Sequence, residues 1–231
     1  MRLRIKFRKY GSVCFISHLD LMRFFQKAIR RAQIDVAYSE GFSPHQIMAF
    51  AAPLGVGLAS HGEYMDIEVH SVTSCKDVME SLNRASVPGI EITSVKVLPD
   101  TAGNAMASVA AAGYTVRFME GYVPDETVLT KFLAKEQILI TKKTKKGMKE
   151  VNLKEGIFQL KMMGKEIYML LDASSSGNIK PIHVIEALFS DIGEVLGEDA
   201  LFITREDIYT NVGSEMGNSQ FISLGEVGAG I

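Results

Sequence analysis

The stretch Ser17–Ile34, SHLDLMRFFQKAIRRAQI, decides the fold. Ser17 is a favoured helix N-cap, and Asp20 stands three residues on, close to a capping box. Met22, Phe25, Ile29 and Ala32 recur at helical spacing and predict one buried stripe. Arg23, Lys27, Arg30 and Arg31 fall on the opposite side. A helix with a single apolar stripe must bury it against another layer, so the flanking segments fix the architecture.

Upstream, Leu3, Ile5 and Phe7 alternate with Arg2, Arg4, Lys6 and Arg8. That period of two predicts a half-buried strand with one cationic face, followed by a turn at Tyr10-Gly11-Ser12. Downstream, a strand is expected within Gln46–Ala51 and another over Gly62–His70, where Tyr64, Asp66, Glu68 and His70 alternate with Met65, Ile67 and Val69. Ser74–Ala85 reads as a second helix with Val78, Met79 and Leu82 inward, and Gly89–Leu98 as a closing strand. The order β-α-β-β-α-β is that of a ferredoxin-like split βαβ unit, an α+β arrangement with both helices on one face of an antiparallel sheet and the other face open.

Residues 101–112, TAGNAMASVAAA, are small and weakly patterned and read as a linker into a short helical turn. The order then repeats. Gly113–Glu120 is a strand, Pro124–Glu136 a helix, and Ile138–Lys145 a strand. More strands follow in Gly156–Leu171, with a hairpin turn at Gly164-Lys165. Lys180–Gly193 is a helix and Ala200–Thr210 the last strand. The expectation is therefore two tandem ferredoxin-like units, 1–100 and 113–212. A glycine-rich tail, 213–231, is expected to be disordered or to lie on the surface.

With 47% hydrophobic and 23% charged residues the composition is that of a globular protein. No apolar run approaches the ~20 residues that span a bilayer. The alternating basic N-terminus does not resemble a secretory signal, so the expected compartment is the cytoplasm, with no membrane role. Cys14 and Cys75 form no CxxC or Cys/His pattern, which argues against a disulfide framework or a zinc site. The net charge of −2 hides an asymmetry. Residues 1–31 carry nine Lys/Arg against Asp20, and residues 186–231 carry nine acids against Arg205. Such a split implies either a basic surface for a polyanion or mutual attraction between the two ends.

Between the first helix and its return strands lies Tyr38–Gly57, YSEGFSPHQIMAFAAPLGVG. Gly41 permits backbone closed to other residues, Pro44 stiffens the turn, and Ile47, Met48 and Phe50 anchor it. This predicts a rigid loop beside the basic helix, the setting in which binding groups collect.

Five groups of residues together resemble a radical-SAM-linked family, a domain of unknown function (DUF2344): Ser17-His18-Leu19-Asp20, Arg30-Arg31, Gly41-Phe42-Ser43-Pro44-His45, Leu54-Gly55 and Glu63-Tyr64-Met65-Asp66. The likeness is dense over residues 1–70 and thins beyond. There GNIKPIHVIEAL keeps the family's helix start, while Val151-Asn152-Leu153-Lys154 departs from its pattern. The resemblance implies a radical SAM enzyme as partner, encoded nearby or fused in relatives. It implies no activity. The chain itself lacks the CxxxCxxC cysteines that would hold a [4Fe–4S] cluster.

The candidate binding residues are His18, Arg23, Lys27, Arg30, Arg31, Phe42, Pro44 and His45, with the first strand's cations extending the patch toward RNA. Lys142–Lys149, KKTKKGMK, is a second basic cluster. Asp66 and Glu68 are candidate partners for Arg30 or Arg31 rather than metal ligands. No GxGxxG or Walker motif is present, so no nucleotide cofactor is expected; with only this one carboxylate cluster no metal is expected, and no nucleophile elbow appears. The expected function is a noncatalytic accessory module that binds RNA and works with the radical SAM enzyme. Two alternatives stand beside it: a metal-independent endoribonuclease using His18 and His45 as acid and base, and a purely protein-binding adaptor.

Overall fold

A computed structural model describes residues 1–144, 147–197, 199–213 and 219–231. The chain is mixed α+β, with four α-helices among the described residues and mostly antiparallel strands. It divides into two compact units, Met1–Ala110 with Arg205–Ile231, and Ala111–Thr204. No described helix is long and apolar enough to cross a membrane.

In the first unit, β1 (Arg2–Lys9) leads through a 3-10 turn to α1 (His18–Arg31). The Ser17 hydroxyl accepts the Asp20 N–H at 3.2 Å, the cap the sequence predicts. Gln33, at φ +55, ends the helix. Its inward stripe is Leu21, Phe25, Ala28 and Ile29, with Met22 and Ala32 at the margin. Then come β2 (Asp35–Val36), β3 (Met48–Phe50), β4 (Ala59–Ser71), α2 (Cys75–Arg84) and β5 (Ile90–Val97). β1 lies between β4 and β5, antiparallel to both. Along its far edge β4 takes the short β2 and β3, and also β11. Leu3, Ile5 and Phe7 of β1 are fully buried with Met65, Ile67 and Val69 of β4 in a core shared with Phe25, Ile29, Val78 and Leu82. The Phe7 and Phe25 rings are 4.7 Å apart.

The opposite sheet face, expected to be open, is covered. β11 (Leu201–Asn211) begins in the second unit and ends in the first, where β12 (Phe221–Ser223) pairs with it. A 3-10 turn, Leu224–Glu226, follows with a capping box between Ser223 and Glu226. Leu224 is fully buried, and Ala229 exchanges two hydrogen bonds with Val97 of β5 at 2.8 and 3.0 Å. The described part of the expected tail is thus a strap running from β11 to β5. Two glycines let it lie close: a Cβ on Gly225 would sit 3.0 Å from the Tyr64 hydroxyl, and one on Gly228 (φ +102) 2.5 Å from the Val97 carbonyl. Polar side chains on both sides of the contact hydrogen-bond one another, which is why sequence alternation alone made this face look solvated.

The second unit contains β6 (Ala111–Phe118), α3 (Glu126–Leu133, capped by Asp125), β7 (Leu139–Thr144), β8 (Gly147–Asn152), β9 (Ile157–Met163), β10 (Glu166–Asp172) and α4 (Pro181–Ile192). β10 lies between β6 and β9, and the β9–β10 hairpin turns at Gly164 (φ +66), where the sequence predicts it. The strand expected at Ile138–Lys145 does not join this sheet. Among the described residues β7 pairs with β8 alone, in a two-stranded sheet. Lys142 and the 47% exposed Leu139 leave little apolar surface to bury in a sheet core. Lys145 and Lys146 of the second basic cluster lie outside the described residues.

Candidate binding surface of the first unit

The loop after α1 is closed by its own hydrogen bonds. Ser39 N–H donates to the His45 carbonyl at 2.8 Å, and His45 N–H donates to Ser39 Oγ at 3.1 Å. Ser39 Oγ and His45 Nδ1 are 2.8 Å apart. Tyr38 and Gln46 form a β-bridge across the base. Gly41, at φ +106, makes the bend that a side chain would strain. At the tip Phe42 is wholly exposed (111%), with Tyr38 half exposed below it.

Gln46 ties this loop to α1. Its side chain is buried and its Nε2 donates to the Gln26 carbonyl at 3.2 Å. The loop is therefore held against the middle of the helix that carries the arginines. Gln46 and Ser39 were not among the candidates. A polar residue opening an apolar strand, and a Ser-x₅-His spacing across a Gly-Pro turn, are the signals that point to them.

Arg23, Lys27, Arg30 and Arg31 are all exposed. Arg23 makes a loose contact with Asp20 at 3.5 Å, and Arg30 Nε donates to the Gln26 carbonyl within its own helix. Arg31 Nη2 donates to the Ala85 carbonyl at the end of α2 at 2.8 Å. Lys27 has no partner among the described residues. Pro44 is exposed in the turn. His18 is half-buried with its ring edge-on to Phe50, 5.1 Å between centroids. His45 is engaged with Ser39 instead, and no hydrogen bond joins the two imidazoles.

The cationic face expected on β1 does not extend this patch. Arg4 is 2% exposed and grips Asp66 through two bonds of 2.8 and 2.9 Å. Lys6 pairs with Asp207 at 2.9 Å, and Arg8 with Glu91 at 3.4 Å. Arg2 donates to the carbonyls of Pro99, Asp100 and Ala102. Lys9 is buried and donates to the Ile16 carbonyl, where burial lowers its pKa. Antiparallel pairing sets Arg4 opposite Asp66, so this carboxylate is taken by β1 and is not a partner for Arg30 or Arg31. Glu63 is likewise held by Arg205, at 2.7 and 2.5 Å. Of the acidic C-terminal stretch, Asp207 is the single described carboxylate that pairs with a cation of the first 31 residues.

Beneath the strap, Tyr64 Oη donates to Asp207 Oδ1 at 2.5 Å, and Ser223 Oγ donates to Asp207 Oδ2 at 2.9 Å. Burial, then the Asp207 charge, raises the Tyr64 phenol. In the second unit, burial, Lys142 and Lys180 hold His183 below the usual imidazole range. No group of three or more His, Cys, Asp or Glu residues is arranged to hold a metal among the described residues.

Among solved structures, the first two RRM domains of yeast poly(U)-binding protein (Pub1) are similar at 12% identity, over 89% of this chain and 98% of that one. The TM-score is 0.20, too low to bear on fold or function. No curated protein matches the chain. A family model described as an uncharacterized protein conserved in bacteria, DUF2344, matches residues 2–181, and the chain belongs to that family.

Proposed function

We propose that this protein is a noncatalytic module that binds single-stranded RNA on α1 and the Ser39–His45 turn and presents it to a partner enzyme. The observation that carries this reading is Phe42. An aromatic ring stands wholly in solvent on a hydrogen-bonded turn, and Gln46 ties that turn to a helix with four exposed cations. A stacking ring beside a stripe of phosphate-neutralising side chains is the minimal equipment for holding a single strand without reading its sequence. A pre-formed turn keeps the ordering cost of binding low.

In this reading the chain carries two ferredoxin-like repeats, 1–100 and 113–212. The strand sequences β5-β1-β4-β3 and β11-β6-β10-β9 support that, with the β7–β8 pair as an insertion in the second. The partner is a radical SAM enzyme, which rests on the resemblance carried by residues 1–70.

The test is fluorescence anisotropy with a labelled single-stranded RNA of about 12 nucleotides. Binding should weaken with salt and be abolished by the pair Lys27→Glu and Arg30→Glu, with circular dichroism unchanged. Salt-independent retention, or full affinity in that double variant, would reject the reading. Copurification with the partner that survives nuclease and does not need Phe42 would favour a protein-docking role instead.

A further inference from the structure

We infer that the RNA path continues beyond α1 into a groove between the C-terminal ends of α1 and α2, where Arg31 and Arg84 hold a phosphate; this rests on the function proposed above. The groove has a volume of about 570 Å³ and is lined by Arg31, Gln33, Ser81, Arg84 and Ser86, among others. Helix C-termini ordinarily repel anions, because their last carbonyls point outward. Here Arg31 Nη2 caps the Ala85 carbonyl, and the Ser81 and Asn83 carbonyls accept the Ala85 and Ser86 N–H groups. Two guanidiniums therefore dominate the groove.

Both retain capacity. A guanidinium has five N–H donors. Arg31 gives one bond to Ala85, and Arg84 gives one to Ser81 Oγ at 2.7 Å. The Arg84 side chain is 70% exposed, and its nearest carboxylate, on Glu80, is 3.8 Å away. Paired planar forks suit phosphate oxygens better than ammonium groups do.

Geometry favours a polymer over a small molecule. The groove is open and polar, without the enclosure a small ligand needs. It also begins where the stripe of Arg23, Lys27 and Arg31 ends. At 1.5 Å per residue those three span about 12 Å along α1, and Arg84 prolongs the line onto α2. A neighbouring hollow shares Ala32, Gln33 and Ser81 with the groove but is lined by Asp35 and Asp77. Those carboxylates close the alternative exit to a polyanion and leave the Arg84 side as its path.

The test measures the same labelled RNA across a salt series on the full chain with Arg84→Ala and Arg84→Lys. One lost phosphate contact on a single strand should lower the slope of log affinity against log salt by about 0.7. Arg84→Lys should restore that slope while leaving affinity several-fold below the native chain, because the ammonium lacks the fork. Suppose Arg84→Ala matches the native slope and affinity while Lys27→Glu with Arg30→Glu abolishes binding. The groove is then not part of the path, and the binding reading survives. If neither set of variants changes binding, the binding reading itself fails.

Discussion

Phe42 contributes nothing to the fold, since its side chain lies in solvent. Phe42→Ala should therefore leave the melting temperature unchanged and weaken RNA binding by the worth of one stacked base, about 1–3 kcal/mol, read by anisotropy. Asp66 is the opposite case. It is buried against Arg4, whose Nη1 already lacks a partner. Asp66→Ala strands a buried guanidinium and should cost about 3–5 kcal/mol in urea unfolding, part of which Arg4→Met in the same chain should return. Tyr64 sets an alkaline limit. Its phenol is raised from 10.0 in the fold, so its contribution is complete below pH 10 and is lost as pH climbs above that value. Unfolding between pH 9 and 11 should show stability falling by up to about 1.4 kcal/mol per pH unit, with a shallower fall in Tyr64→Phe.

Among the elements, α1 was legible because its cap, its stripe and its basic face are local properties of eighteen consecutive residues. β1 was legible as a strand and misread as a surface. Alternation says which side chains share a face, but only the register with β4 and β5, and the side chain of Asp207 on β11, say that carboxylates stand opposite the cations. The strap was invisible for a related reason. Gly225 and Gly228 look like the punctuation of a loose tail, whereas here they permit close approach to Tyr64 and Val97. Removing residues 219–231 uncovers Tyr64 and forfeits the burial of Leu224, worth about 1.5–3 kcal/mol by itself. The expected result is a lower melting temperature, together with faster amide exchange in β5, whose Val97 loses its partner Ala229.

At the scale of the molecule, a net charge of −2 forbids general attraction to a polyanion, so any RNA affinity must be local to α1 and the groove beyond it. About four phosphate contacts at ~0.7 each predict a roughly 50-fold loss of affinity between 50 and 200 mM salt, measurable in a single titration. The sequence by itself determined the four helices, the strands that alternate with them in the first unit and the exposed basic face of α1, but not the β7–β8 pair or the strap. Capping and periodicity act over a few residues and need no distant partner. Tertiary structure alone decided which cations stay available, what covers the second face of the first sheet, and that the Ser39–His45 turn is tied to α1. Those outcomes depend on groups from 20 to more than 200 positions apart, as in Gln46 with Gln26 and Lys6 with Asp207, and no local pattern encodes such a meeting.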